Sequence, residues 1–139
     1  MKKAIYLSLL FFALISISCA SLTRDQTNAW LNTKGGQSNI NMTGTWDAGG
    51  AASGGWGTGN FIQTGNRFSG TLGIYYVDGI VNGDEVFMAI SSRAKVYFTA
   101  QLKKSTDGSI TGKASEGVII NEPNSQNAVS YLISLKKAN

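Results

Sequence analysis

Histidine is missing from all 139 residues, and cysteine and proline occur once each. Without imidazole the chain lacks the commonest general base, the commonest zinc ligand and the side chain that titrates near neutrality. A single cysteine forms no internal disulfide and builds neither a cysteine zinc site nor an iron–sulfur cluster. Charge is sparse as well, with 12 Lys+Arg and 8 Asp+Glu making up 14% of the residues. No nucleophile–base–orienter set can be assembled from what remains, so no enzyme, no metal and no cofactor are expected. What is present is 42% hydrophobic residues and 17 glycines. That balance belongs to a folded chain rather than a disordered one, and the length fits one domain.

The first twenty residues read as an address. Lys2 and Lys3 precede Ala4 to Ile17, fourteen residues without a charge. A membrane-spanning helix needs about 20 such residues, whereas a signal-peptide core needs about 7 to 15. Residues 1–18 are therefore expected to be an export signal. Two of the twelve cations leave with it, so the exported chain keeps ten against eight acids. Lys103-Lys104 and Lys136-Lys137 sit at strand ends without interleaved aromatics, and no nucleic-acid partner is expected.

Ser16-Ile17-Ser18-Cys19 resembles the lipobox of bacterial lipoproteins, in which the chain is cut before a cysteine that then carries the lipid. The resemblance implies lipidation of Cys19 and a membrane partner reached through that anchor. With Ala20 rather than Asp after the cysteine, it further implies the outer membrane. The competing reading is cleavage after Ala20, with small residues at Ser18 and Ala20, which discards the thiol and leaves a periplasmic or secreted protein. The stretch behind the cysteine, to Asn39, is polar apart from Trp30 and Leu31 and reads as a tether.

From Ile40 to Asn139 the chain alternates short apolar–polar runs with turn dipeptides. The runs are Ile40–Trp46, Gly59–Gly65, Arg67–Val77, Gly79–Ser91, Ala94–Lys104, Gly108–Ile120 and Ala128–Lys137. Gly65-Asn66, Asp78-Gly79, Asn82-Gly83 and Asp107-Gly108 supply the positive φ that tight hairpins demand. A period of two puts Phe68, Leu72, Ile74 and Tyr76 on one face, Val96, Phe98, Ala100 and Leu102 on another, and Val129, Tyr131, Ile133 and Leu135 on a third. No segment behind the signal shows a sustained helical period with caps; Trp30 and Leu31 read as part of a partly ordered linker, with a short helical turn or a contact against the barrel as the alternatives. Seven or eight short sequential strands that bury one face predict an all-β, up-and-down antiparallel barrel, in which closure also removes exposed edges.

Gly44-Thr45-Trp46 resembles the G-x-W signature of the calycins, the group of lipocalins, fatty-acid-binding proteins and avidins. The resemblance implies an up-and-down barrel with Trp46 packed across one end. The later tryptophans of avidins have no counterpart, since Trp30, Trp46 and Trp56 all lie early, so biotin is not an expected ligand.

Four residues are candidates for ligand or partner contact. Trp46 closes a barrel end, and Trp56 stands in the glycine-rich run Asp47–Gly59, which lacks the lysine of a phosphate loop. Tyr75 and Tyr97 fall opposite the apolar stripes, beside Arg67 and Lys95, where exposed aromatics can form a hot spot. Trp46, Phe61, Phe68, Tyr76, Phe98 and Tyr131 are expected to fill the interior. Asp84-Glu85 is the only adjacent acid pair, and consecutive strand residues point to opposite faces. A hydrolase of envelope polymers would instead need Asp47 to converge with Asp78 or Glu116. The expectation is a non-enzymatic, envelope-anchored barrel that contacts a protein partner or carries a small apolar ligand. A filled core would favour contact, and a cavity would favour carriage.

Overall fold

A computed structural model describes residues 21–50 and 55–139; Cys19 and the leader lie outside the described residues. Helix α1 (Arg24–Asn32) precedes strands β1 (Gly44–Gly49), β2 (Gly57–Thr64), β3 (Arg67–Leu72), β4 (Tyr75–Asn82), β5 (Glu85–Ser92), β6 (Lys95–Lys104), β7 (Ile110–Glu116) and β8 (Ser130–Lys137). Every strand pairs antiparallel with its sequence neighbour, and β8 returns to β1 through pairs from Trp46↔Lys137 to Gly49↔Ser134. The protein is an all-β, eight-stranded, closed up-and-down barrel, and among the described residues one short α-helix lies on its outside.

One turn and one bulge decide which side chains face inward. Leu72 pairs with Tyr75 across the two-residue turn Gly73-Ile74, where Gly73 has φ 57°. The residues flanking such a turn face the same side of the sheet, so alternation restarts after it. Tyr75 consequently packs against the interior, while Ile74 and Tyr76 are 86% and 58% exposed. This reverses the expected places of Tyr75 and Tyr76, which came from carrying one alternation through the turn. Asp78-Gly79, expected as a turn, is not one. It lies within β4, and a Cβ on Gly79 would sit 2.1 Å from Phe68 Cζ, so the glycine makes room for that ring. In β6 the register slips by one residue: Phe98 pairs with Ile90 and Val96 with Ser91, leaving Tyr97 as the extra residue of a bulge. Val96 therefore joins the outer cluster, and Phe98 packs on the inner one.

Buried side chains, among them Trp46, Phe61, Phe68, Leu72, Met88 and Leu135, pack together in the barrel interior. Phe61 and Phe68 meet edge to face at 5.4 Å. A second cluster lies outside the barrel, where Trp30 and Leu31 of α1 cover Ile80, Phe87, Ala89 and Val96 on β4 to β6, together with Ile120. The expected tether is thus partly a docked helix. Its start carries a reciprocal cap, in which Thr23 Oγ1 accepts from Gln26 N and Gln26 Oε1 accepts from Thr23 N. Trp30 and Leu31 make it adhere, because each hides large apolar area that a linker would leave wet.

Candidate functional site

In an up-and-down barrel, alternate connections open at the same end. The chain enters at one end and seals it. Ile40 and Met42 are buried there, and Trp46 Nε1 donates to Met42 O at 2.8 Å. Gln63 pins this crossing segment: its Oε1 accepts from Met42 N at 2.7 Å, and its Nε2 donates to Ile40 O and Ser38 Oγ, both at 3.0 Å. Lys137 Nζ lies 5.2 Å from the Trp46 ring centroid and donates to Thr43 O at 2.9 Å. Trp46 is 3% exposed, so it is a plug and presents no contact surface.

The opposite end gathers the connections β1–β2, β3–β4, β5–β6 and β7–β8, and there a buried Trp56 meets aromatics that are partly accessible. Trp56, just before β2, meets Phe98 at 5.0 Å and Tyr131 at 6.3 Å, both edge to face. Tyr75 meets Phe98 at 5.8 Å and Tyr97 at 6.1 Å. Trp56 is held from below by its Nε1, which donates to Leu132 O at 2.9 Å, and so covers the barrel mouth. Tyr75, Phe98 and Tyr131 are half-buried and Tyr97 is exposed. Lys95 Nζ sits 4.9 Å from the centre of the Tyr97 ring, a cation–π distance.

Three of the four predicted contact residues, Trp56, Tyr75 and Tyr97, therefore meet in one cluster, and Trp46 lies at the other end. Phe98 and Tyr131 complete the cluster although their pattern marked them only as core. The signal that finds them is position: each lies near a strand end at an odd-numbered connection. Tyr131 donates its hydroxyl to Glu116 Oε2 at 3.3 Å. Repulsion between that carboxylate and a phenolate raises the Tyr131 pKa above the ordinary phenol value, with burial and the hydrogen bond acting in the same direction.

The acids do not assemble a cleft. Asp47 is exposed on β1, whereas Asp78 on β4 accepts from Arg24 of α1 at 2.8 Å, and Glu116 closes β7 at the aromatic end. Asp84-Glu85 flanks the β4–β5 turn at the sealed end. Grooves on the outer surface include one of about 640 Å³ between α1 and the β7–β8 connection, lined by Leu22, Ala29, Ile119 and Pro123. Another, of about 570 Å³, is lined by Arg24, Tyr76, Asp78 and Arg93. Among the described residues no group of three or more Cys, Asp or Glu could hold a metal ion. Comparison with family models, with curated proteins and with solved structures returned no match.

Proposed function

We infer that this chain is a non-catalytic binding module of the bacterial envelope, exported and anchored through lipid on Cys19, which acts by surface contact at its aromatic end. One observation carries the choice of contact over carriage. Trp56, Tyr75, Phe98 and Tyr131 cluster at the barrel mouth, and the last three keep part of their surface exposed there, above an interior occupied by buried side chains. Aromatic residues at a half-open rim are the groups that give a contact surface most of its energy. The eight-stranded closure and the packing of Trp46 across one end support the calycin-like reading. They support nothing about a ligand.

Native mass spectrometry of the full chain, exported in a bacterial host and purified from its membranes, tests this reading. The expected mass is that of the processed polypeptide with acyl groups on Cys19 and no partner in the barrel. A stoichiometric small molecule that leaves only on denaturation would overturn contact in favour of carriage. An unmodified N-terminus beginning at Ser21 would overturn the anchor.

A further inference from the structure

The start of the described chain lies at the aromatic end. Val96 N donates to Leu22 O at 3.1 Å, and Thr23 bridges to Lys95 beside the β5–β6 turn. Cys19 is three residues upstream of Leu22, and three extended residues reach about 11 Å at most. An eight-residue strand tilted as in a small barrel spans roughly 20 Å along the axis. An anchor on Cys19 therefore brings the aromatic end within reach of the bilayer and holds the sealed end away from it.

The surface at that end suits such a neighbour. Among the described residues six large apolar side chains are exposed, and five of them lie there: Ile74, Tyr76, Tyr97, Val129 and Leu132. They share that end with the cluster of Trp56, Tyr75, Phe98 and Tyr131, mixing aliphatic residues with aromatics that carry a polar tip, a composition suited to the headgroup boundary. Lysine concentrates at the opposite end. Lys103, Lys104, Lys136 and Lys137 stand at the sealed end with Asp84, Glu85 and Asp107, whereas Arg24, Arg93 and Lys95 share the aromatic end with Asp25, Glu116 and Glu122.

We propose that the aromatic end is a membrane-docking face, pressed into the headgroup layer of the bilayer that holds the Cys19 lipid. The contact is apolar in origin, so it depends little on anionic lipid or on salt. The proposal rests on the anchored-module reading, and its test separates the two. The purified full chain is mixed with phosphatidylethanolamine–phosphatidylglycerol vesicles, with or without brominated acyl chains, and tryptophan emission is recorded. The mass of the N-terminal peptide reports acylation separately.

Quenching by the brominated lipid is expected, by about twofold or more. It should persist in Trp46→Phe, at the far end, and fall by most of its amplitude in Trp56→Phe. The surface variant Ile74→Glu/Leu132→Glu, whose side chains are already exposed, should reduce it with the fold intact by circular dichroism. An acylated protein whose Trp56 stays unquenched would overturn docking and leave the anchor standing. Quenching of an unacylated protein would support the face and overturn the anchor. Quenching lost in Trp46→Phe or abolished by 0.5 M salt would place the basic end on the membrane and overturn the proposal.

Discussion

At the scale of single residues, two buried hydroxyls on the outer face of the same strand pair have opposite standing. Thr99 is fully buried, and its Oγ1 donates to Val118 O at 2.7 Å and accepts from Ile120 N at 2.8 Å. It satisfies two backbone groups that the β7–β8 connection would otherwise bury unpaired. Ser91, 1% exposed, has an Oγ without a partner. Removing a hydroxyl that serves two partners costs about 1–3 kcal/mol, because the partners keep their desolvation penalty. Removing one that serves none returns such a penalty. Urea unfolding should therefore show Thr99→Val destabilised by about 2 kcal/mol and Ser91→Ala unchanged or up to about 1 kcal/mol more stable. Equal losses in the two variants would mean that Ser91 has a partner in solution.

At the scale of elements, the helix shows a short apolar pair outweighing a polar context. α1 has nine residues, too few to persist alone in water, and isolated helices below about 12–15 residues are marginal. Its stability comes from the barrel, through Leu31 at 0% and Trp30 at 6% exposure. Leu31→Ala should cost about 2–5 kcal/mol, whereas Thr23→Ala, which opens the cap, should cost about 1 kcal/mol. A cap variant as damaging as the core variant would show that the cap holds the whole docked helix in place rather than its first turn alone. Every strand region is legible in the alternation, whereas the extent of this helix is not: Trp30 and Leu31 alone stand out in the 20–39 stretch, which allows a helical turn or a barrel contact, and two adjacent residues display no period. The cap was legible in principle, since Thr23 and Gln26 have the spacing of a reciprocal box. Face assignments failed at Tyr75 and Tyr76 for a different reason. Gly73-Ile74 resembles the strand on either side of it, so the turn that resets the alternation left no mark in the hydrophobic pattern. Tyr97 reached the right surface by a bulge that only the pairing of β5 with β6 reveals.

At the scale of the whole molecule, the barrel is thick on one side and thin on the other. Val86 to Ser91 of β5 are buried without interruption, because the interior covers one face while α1 and residues 118–120 cover the other. β1 has six residues with Thr45 and Asp47 exposed, and it meets β8 over four pairs only. That seam joins residues about 90 positions apart, Trp46 to Lys137, so its closure must overcome a large loop entropy, whereas β4, β5 and β6 pair with their immediate neighbours. Local opening follows the weakest burial and the fewest shared bonds. Opening is therefore expected to begin where β1 leaves β8, with β4–β6 holding to the global limit. Amide hydrogen exchange of the folded protein checks this. Val86 to Ile90 should exchange slowest, and the β1–β8 amides should exchange at least about tenfold faster once corrected for intrinsic rates, equivalent to about 1.4 kcal/mol of local stability. Leu31→Ala should narrow that gap by weakening the thick side and leaving the seam unchanged. Uniform protection around the barrel would instead make it a single cooperative unit, in which the outer cluster adds global stability without adding a gradient.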